Sequence, residues 1–248
     1  MTEKPGAEIS AQDDKTPPPE QPVERVVEEI TVSPVRAGLR ARRLEIILGI
    51  GLCLYGILAA LAYRYAYFSW DLRLARLIQS IDFAGFDSLM TWTSAPGNGW
   101  AAWALTIVTS TALALLRLKL EGIICLISAG AGALLDRVMK IVIARPRPDQ
   151  AVVQVLGDFK HESFPSGHVF FYVSFFGFLF FLTYVLLKRI PLRRIMLVML
   201  VVPLLLIGVS RVYLGAHWPS DVIGAYLAGG VWLLIMIELY RRLKAQTS

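Results

Sequence analysis

The chain alternates between long apolar runs and short charged stretches, and neither the period of a surface helix nor that of a half-buried strand dominates it. Six of the runs approach the length a helix needs to cross a hydrocarbon layer about 30 Å thick. They cover about 44–63, 100–116, 122–142, 169–187, 195–209 and 222–239. The fifth is short and contains Pro203, which predicts a kink. Between the first two runs, 70–90 sets Asp71, Arg73, Arg76, Asp82 and Asp87 among leucines and isoleucines. That pattern suits either an amphipathic helix lying at a membrane surface or a structured loop. Trp70, Trp92, Trp100 and Trp103 stand at or beyond its ends, where headgroup-level residues are expected. Residues 1–40, which include Pro17, Pro18 and Pro19, carry too little apolar surface to fold and read as a disordered tail. The remainder, 41–248, reads as one domain, so the expected fold class is an all-α polytopic membrane protein with six transmembrane helices and an amphipathic interfacial helix between the first two.

Composition agrees. Hydrophobic residues make up 56% of the 248 positions and charged residues only 18%, which argues against a soluble domain. The net charge of +6 gains meaning from where the charges fall. Arg36, Arg40, Arg42 and Arg43 precede the first run, and Arg117 and Lys119 follow the second. Lys188, Arg189, Arg193 and Arg194 lie between the fourth and fifth, and Arg241, Arg242 and Lys244 follow the sixth. With six spans all four clusters share one side, which the excess of cytoplasmic Lys and Arg makes the inside. Both termini are then cytoplasmic in a plasma (inner) membrane protein, and nucleic acid is not the expected partner. Cys53 and Cys125 lie inside apolar runs as small hydrophobes.

Lys140, Arg145, Arg147 and Arg211 break this pattern by sitting at span ends on the outer side. Three motifs stand on that side, the first and third of them carrying these cations: Lys140, six residues, then Arg147-Pro148; Pro165-Ser166-Gly167-His168; and Ser210-Arg211, five residues, His217, three residues, Asp221. The topology brings all three to one membrane face. Lys140, Arg147 and Arg211 suit the charge and oxygen geometry of a phosphate. Ser166 and Gly167 precede the fourth span, where free N–H groups and the helix dipole favour an anion. His217 and Asp221 are four apart around Pro219, a residue favoured in a first helical turn. A carboxylate on one ring nitrogen leaves the other free to attack phosphorus, and His168 is placed to protonate the leaving oxygen. No Asp, Glu and His cluster has metal-ligand spacing, so neither a metal nor another cofactor is expected. Arg145 reads as a headgroup contact or a support to the phosphate site, Asp136 as a structural pair, and His161 and Glu162 as loop polarity.

These motifs resemble those of the type 2 phosphatidic acid phosphatase family, in its membrane lipid phosphatase branch. The resemblance covers about 140–221 by motif and about 44–239 by span layout. It implies His217 as nucleophile, Asp221 as its orienting partner and His168 as acid, with Lys140, Arg147, Ser166, Gly167 and Arg211 holding the phosphate. The expected reaction is metal-independent removal of phosphate from a membrane lipid through a phosphohistidine. Phosphatidylglycerol phosphate, phosphatidic acid, an isoprenyl diphosphate and a lipid A phosphate are the candidate substrates. Transfer of the phosphate to another acceptor, and anion or lipid transport, are the rival readings.

Overall fold

The computed structural model describes residues 34–247. Most of the expected N-terminal tail therefore lies outside the described residues; the part at 34–40 is already helical. The described residues form eight α-helices and no strand. They are α1 (Pro34–Arg64), α2 (Ser69–Gln79), α3 (Phe86–Ser94), α4 (Gly99–Leu115), α5 (Lys119–Ile143), α6 (Gly167–Leu186), α7 (Pro191–Tyr213) and α8 (Pro219–Thr247), with a short 3₁₀ turn at Ala95–Gly97.

Five of them, α1, α5, α6, α7 and α8, are long and apolar enough to cross a membrane. The run expected at 100–116 is α4, apolar and 17 residues long. The run expected at 195–209 is longer than the sequence pattern suggested: α7 has 23 residues and continues through Pro203. α6 is the centre of the bundle, with 56% of its apolar window buried, against 6% for α1 on the periphery. Phe170, Tyr172, Phe175 and Phe178 of α6 form the core with Trp218, Ile207 and Tyr240. The leucines and isoleucines of α1 that remain exposed are what a lipid-facing helix requires.

The segment 70–90 resolves into α2 and part of α3, separated at Gly85. α2 packs Leu72 and Ile78 against the core and leaves Arg73 and Arg76 exposed, but it also turns one charge inward. Asp71 is fully buried and Ala75 nearly so, whereas Leu77 is 65% exposed. Asp71 faces the protein because the Arg145 guanidinium lies there, 3.0 Å from Oδ2.

Candidate active site

The three motifs meet at one end of the bundle. Lys140 is in the last turn of α5, and its Nζ donates to the Pro165 carbonyl and stands 3.4 Å from Asp136. Ser166 caps α6, Gly167 is its first residue and His168 follows. Arg211 lies in the last turn of α7 and Asp221 in the first turn of α8, with His217 in the tight connection between them. That connection holds together through local bonds. The His217 and Ala216 amides donate to the Arg211 carbonyl at 3.2 and 3.0 Å. Gly215 turns the chain at φ 68°, and a Cβ there would stand 2.0 Å from the Gln154 carbonyl oxygen, so only glycine fits. Gly167 is similarly constrained, since a Cβ would lie 2.8 Å from Asp136 Oδ2.

Arg147 reaches across this end. Its Nε donates to the His161 carbonyl at 2.9 Å and its Nη1 to the Ala216 carbonyl at 2.6 Å, which leaves Nη1 3.4 Å from His217 Nε2. Arg211 donates to Ser94 Oγ, and both guanidiniums lie over the Phe159 ring, at 5.8 Å for Arg147 and 5.1 Å for Arg211. Burial drives the His217 ring well below the usual histidine pKa, and the Arg147, Lys140 and Arg211 charges push it the same way. Burial also lowers Arg147 from the ordinary arginine value. A neutral imidazole with an unprotonated nitrogen facing a cluster of cations has the chemistry that nucleophilic attack on an anion requires.

Asp221 is 3.7 Å from His217 Nδ1, longer than the direct hydrogen bond expected from the spacing. Its oxygens are held by other groups. Oδ2 accepts from Ser163 Oγ at 2.5 Å and from the Trp218 amide at 2.8 Å, and Oδ1 from Arg145 at 2.5 Å. Ser166 Oγ and Arg211 Nε are buried at the site without a hydrogen-bond partner. Such orphans are costly in a folded protein and mark places that a ligand satisfies.

Several contributors were not evident from sequence. Asn98 Oδ1 stands 3.1 Å from His168 Nε2, Ser94 meets Arg211, Ser163 meets Asp221, and Asp71 meets Arg145. None lies within the three motifs, so no spacing rule pointed to them. Arg145 meets no headgroup, because its side chain is wholly buried, and it reaches the site only from behind, through Asp221 Oδ1 at 2.5 Å. Glu162 is 3.9 Å from Arg137, and Asp136 keeps its structural pairing with Lys140. Among the described residues no three His, Cys, Asp or Glu side chains converge as metal ligands would.

A cavity of about 360 Å³ opens beside this cluster. Gly97, Ala102, Trp103 and Phe171 line its apolar part, and Asp136 and His168 its polar part.

The PAP2 superfamily pattern matches residues 121–245, which include every motif residue above. Phosphatidylglycerophosphatase B of Bacillus subtilis is 29% identical over 177 residues, spanning 70% of this chain and 84% of that protein. An undecaprenyl-diphosphatase of Sulfolobus acidocaldarius is 29% identical over 167 residues, 66% of this chain and 75% of that protein. The crystal structure of a transmembrane PAP2-type phosphatidylglycerolphosphate phosphatase from Bacillus subtilis superposes with a TM-score of 0.68 at 25% identity, covering 77% of this chain and 94% of that one.

Proposed function

This chain belongs to the PAP2 superfamily and is a lipid phosphatase, and from that premise we propose that it releases phosphate by way of a histidine intermediate at one membrane face. The observation that carries the reading is the approach of Arg147 Nη1 to within 3.4 Å of His217 Nε2, in a site with unsatisfied donors. In this mechanism Lys140, Arg147, Arg211, the unpartnered Ser166 hydroxyl and the Gly167 amide at the start of α6 hold the phosphate oxygens. His217 Nε2 attacks phosphorus as the bond to the lipid oxygen breaks, and His168 gives that oxygen its proton. Water then attacks the phosphohistidine, His168 takes a proton from it, and phosphate leaves. Asp221 faces the Nδ1 side of the ring and balances the charge that forms there. Asn98 orients the acid ring.

The substrate is a membrane lipid carrying a phosphomonoester or diphosphate, a class that includes phosphatidylglycerol phosphate, phosphatidic acid, isoprenyl diphosphate and lipid A phosphate. The apolar cavity supports this, because it offers a hydrocarbon tail a place beside His168. Six spans complete the topology. α4, at 17 residues, extends about 26 Å, within the range that crosses a bilayer. The amphipathic α2 then lies at the interface, the basic clusters and both termini face the cytoplasm, and the site opens on the periplasmic or extracellular side of the plasma membrane.

The test is phosphate release by detergent-purified protein in the presence of chelator, from a panel of phospholipid, isoprenyl and lipid A phosphates, with His217→Ala in parallel. Release that survives chelator and is lost in the variant supports the mechanism. Persistent release in the variant removes His217 as nucleophile.

A further inference from the structure

Arg145 lies two residues from a phosphate-binding arginine, yet its environment is of another kind. Its side chain has no exposed surface. Nε donates to the carbonyls of Ala66 at 3.1 Å and Tyr65 at 3.3 Å. Nη1 donates to Ser220 Oγ at 2.7 Å and to Asp221 Oδ1 at 2.5 Å, and Nη2 to Asp71 Oδ2 at 3.0 Å. All three guanidinium nitrogens are engaged within the protein, so the group is committed to holding the protein together and not to a ligand. A guanidinium this deep is tolerable only because two carboxylates and three further acceptors surround it.

Asp71 does more than balance that charge. Its Oδ1 accepts from the Ser220 amide at 2.8 Å and its Oδ2 from Ser220 Oγ at 2.7 Å. A carboxylate from α2 thus caps the first turn of α8, the turn that carries Asp221. The Asp221 carboxylate is fixed at both ends, by Arg145 on Oδ1 and by Ser163 and Trp218 on Oδ2. That fixation determines which oxygen faces His217 Nδ1.

We propose that Arg145 and Asp71 are positioning residues for the nucleophile, and that the buried Asp71–Arg145–Asp221 chain makes helix α2 part of the catalytic apparatus. Neither residue touches the phosphate. They act through Asp221, by holding the carboxylate and the α8 first turn where the ring of His217 keeps its attacking orientation. The proposal rests on His217 as the nucleophile.

Asp71→Asn keeps an acceptor for the Ser220 amide and removes one of the two charges facing Arg145. Arg145→Lys keeps a cation that cannot bridge both carboxylates. The expected result is a kcat lowered about 10- to 100-fold, the range seen when a group supporting a catalytic residue is lost. The KM for lipid phosphate and the inhibition constant of inorganic phosphate stay within about threefold, because the phosphate cradle is untouched. If Arg145→Lys does not accumulate as folded protein, Asp71→Asn carries the test alone. An unchanged kcat in Asp71→Asn overturns the proposal. So does a variant in which kcat and phosphate affinity collapse together with thermal stability, since that is a general structural defect. His217→Ala, assayed alongside, separates the two levels. If it is active, the histidine reading itself fails; if it is inactive while Asp71→Asn behaves as wild type, only the positioning role fails.

Discussion

The two ends of the helix bundle both bury charge, and they do it differently. At the far end Glu121, in the first turn of α5, is 1% exposed and accepts from Tyr240 Oη and Lys244 Nζ, each at 2.9 Å. One acid meets one cation and one hydroxyl from α8, and its burial is locally balanced. At the site end of the same α5, Lys140 pairs with Asp136, and Arg145 is shared by Asp71 and Asp221. Arg147 and Arg211 have no carboxylate at ion-pair distance among the described residues and rest on carbonyls, a hydroxyl and the Phe159 face. A buried pair that balances is architecture. A buried excess of cations beside unsatisfied donors is the arrangement that the proposed anion site requires.

The sharpest break of this comparison comes at the proposed nucleophile. His217→Ala is expected to lower kcat by at least about 10³-fold, the scale on which loss of an attacking group acts. Single-turnover release of phosphate measures it, and a variant within tenfold of the parent would refute the assignment. Next come the unpaired arginines. Arg147→Ala and Arg211→Ala should each cost about 10²-fold or more in kcat/KM, comparable to the loss of one preorganised donor to a developing charge. Wild-type kinetics in both would mean that the cation excess serves packing alone.

The pH dependence gives a smaller but directional effect. The His217 pKa is lowered on folding, so the ring stays neutral and able to attack below the ordinary histidine value near 6.5. The acid limb of kcat/KM due to this ring should therefore lie below pH 6.5, with activity falling as pH drops through the folded value. The unfolded chain takes up this proton below about pH 6.5 while the folded chain does not, so stability declines from about pH 6.5 downward until the folded ring is itself protonated. A limb from this ring at or above 6.5 would contradict the burial and the repulsion described. The smallest effect belongs to the far end. Tyr240→Phe removes one donor from Glu121 and should cost about 1 kcal/mol, or about 2–4 °C in melting temperature. The kcat should not change; a kcat loss there would erase the distinction between the two ends.

Long apolar runs located α1 and α4–α8 in the sequence, because the cost of placing a backbone in hydrocarbon depends on consecutive residues. The three motifs could be read for the same reason: Ser166 and Gly167 at a helix start, or His217 and Asp221 around Pro219, are short-range patterns whose chemistry follows from spacing. The limits of that reading appear in α2 and in Asp221. Leucines and charges alternating along 70–90 suggested an amphipathic helix or a loop, but nothing local reveals that Asp71 turns inward to a guanidinium 74 residues away. Nor does the spacing of His217 and Asp221 reveal that Ser163, Trp218 and Arg145 hold the carboxylate 3.7 Å from the ring. Sequence determined which residues sit at the ends of the long apolar helices. Tertiary structure alone decided which buried charges neutralise one another and which are left without a counter-charge, because that balance is set by groups brought within a few ångströms from helices far apart in the chain.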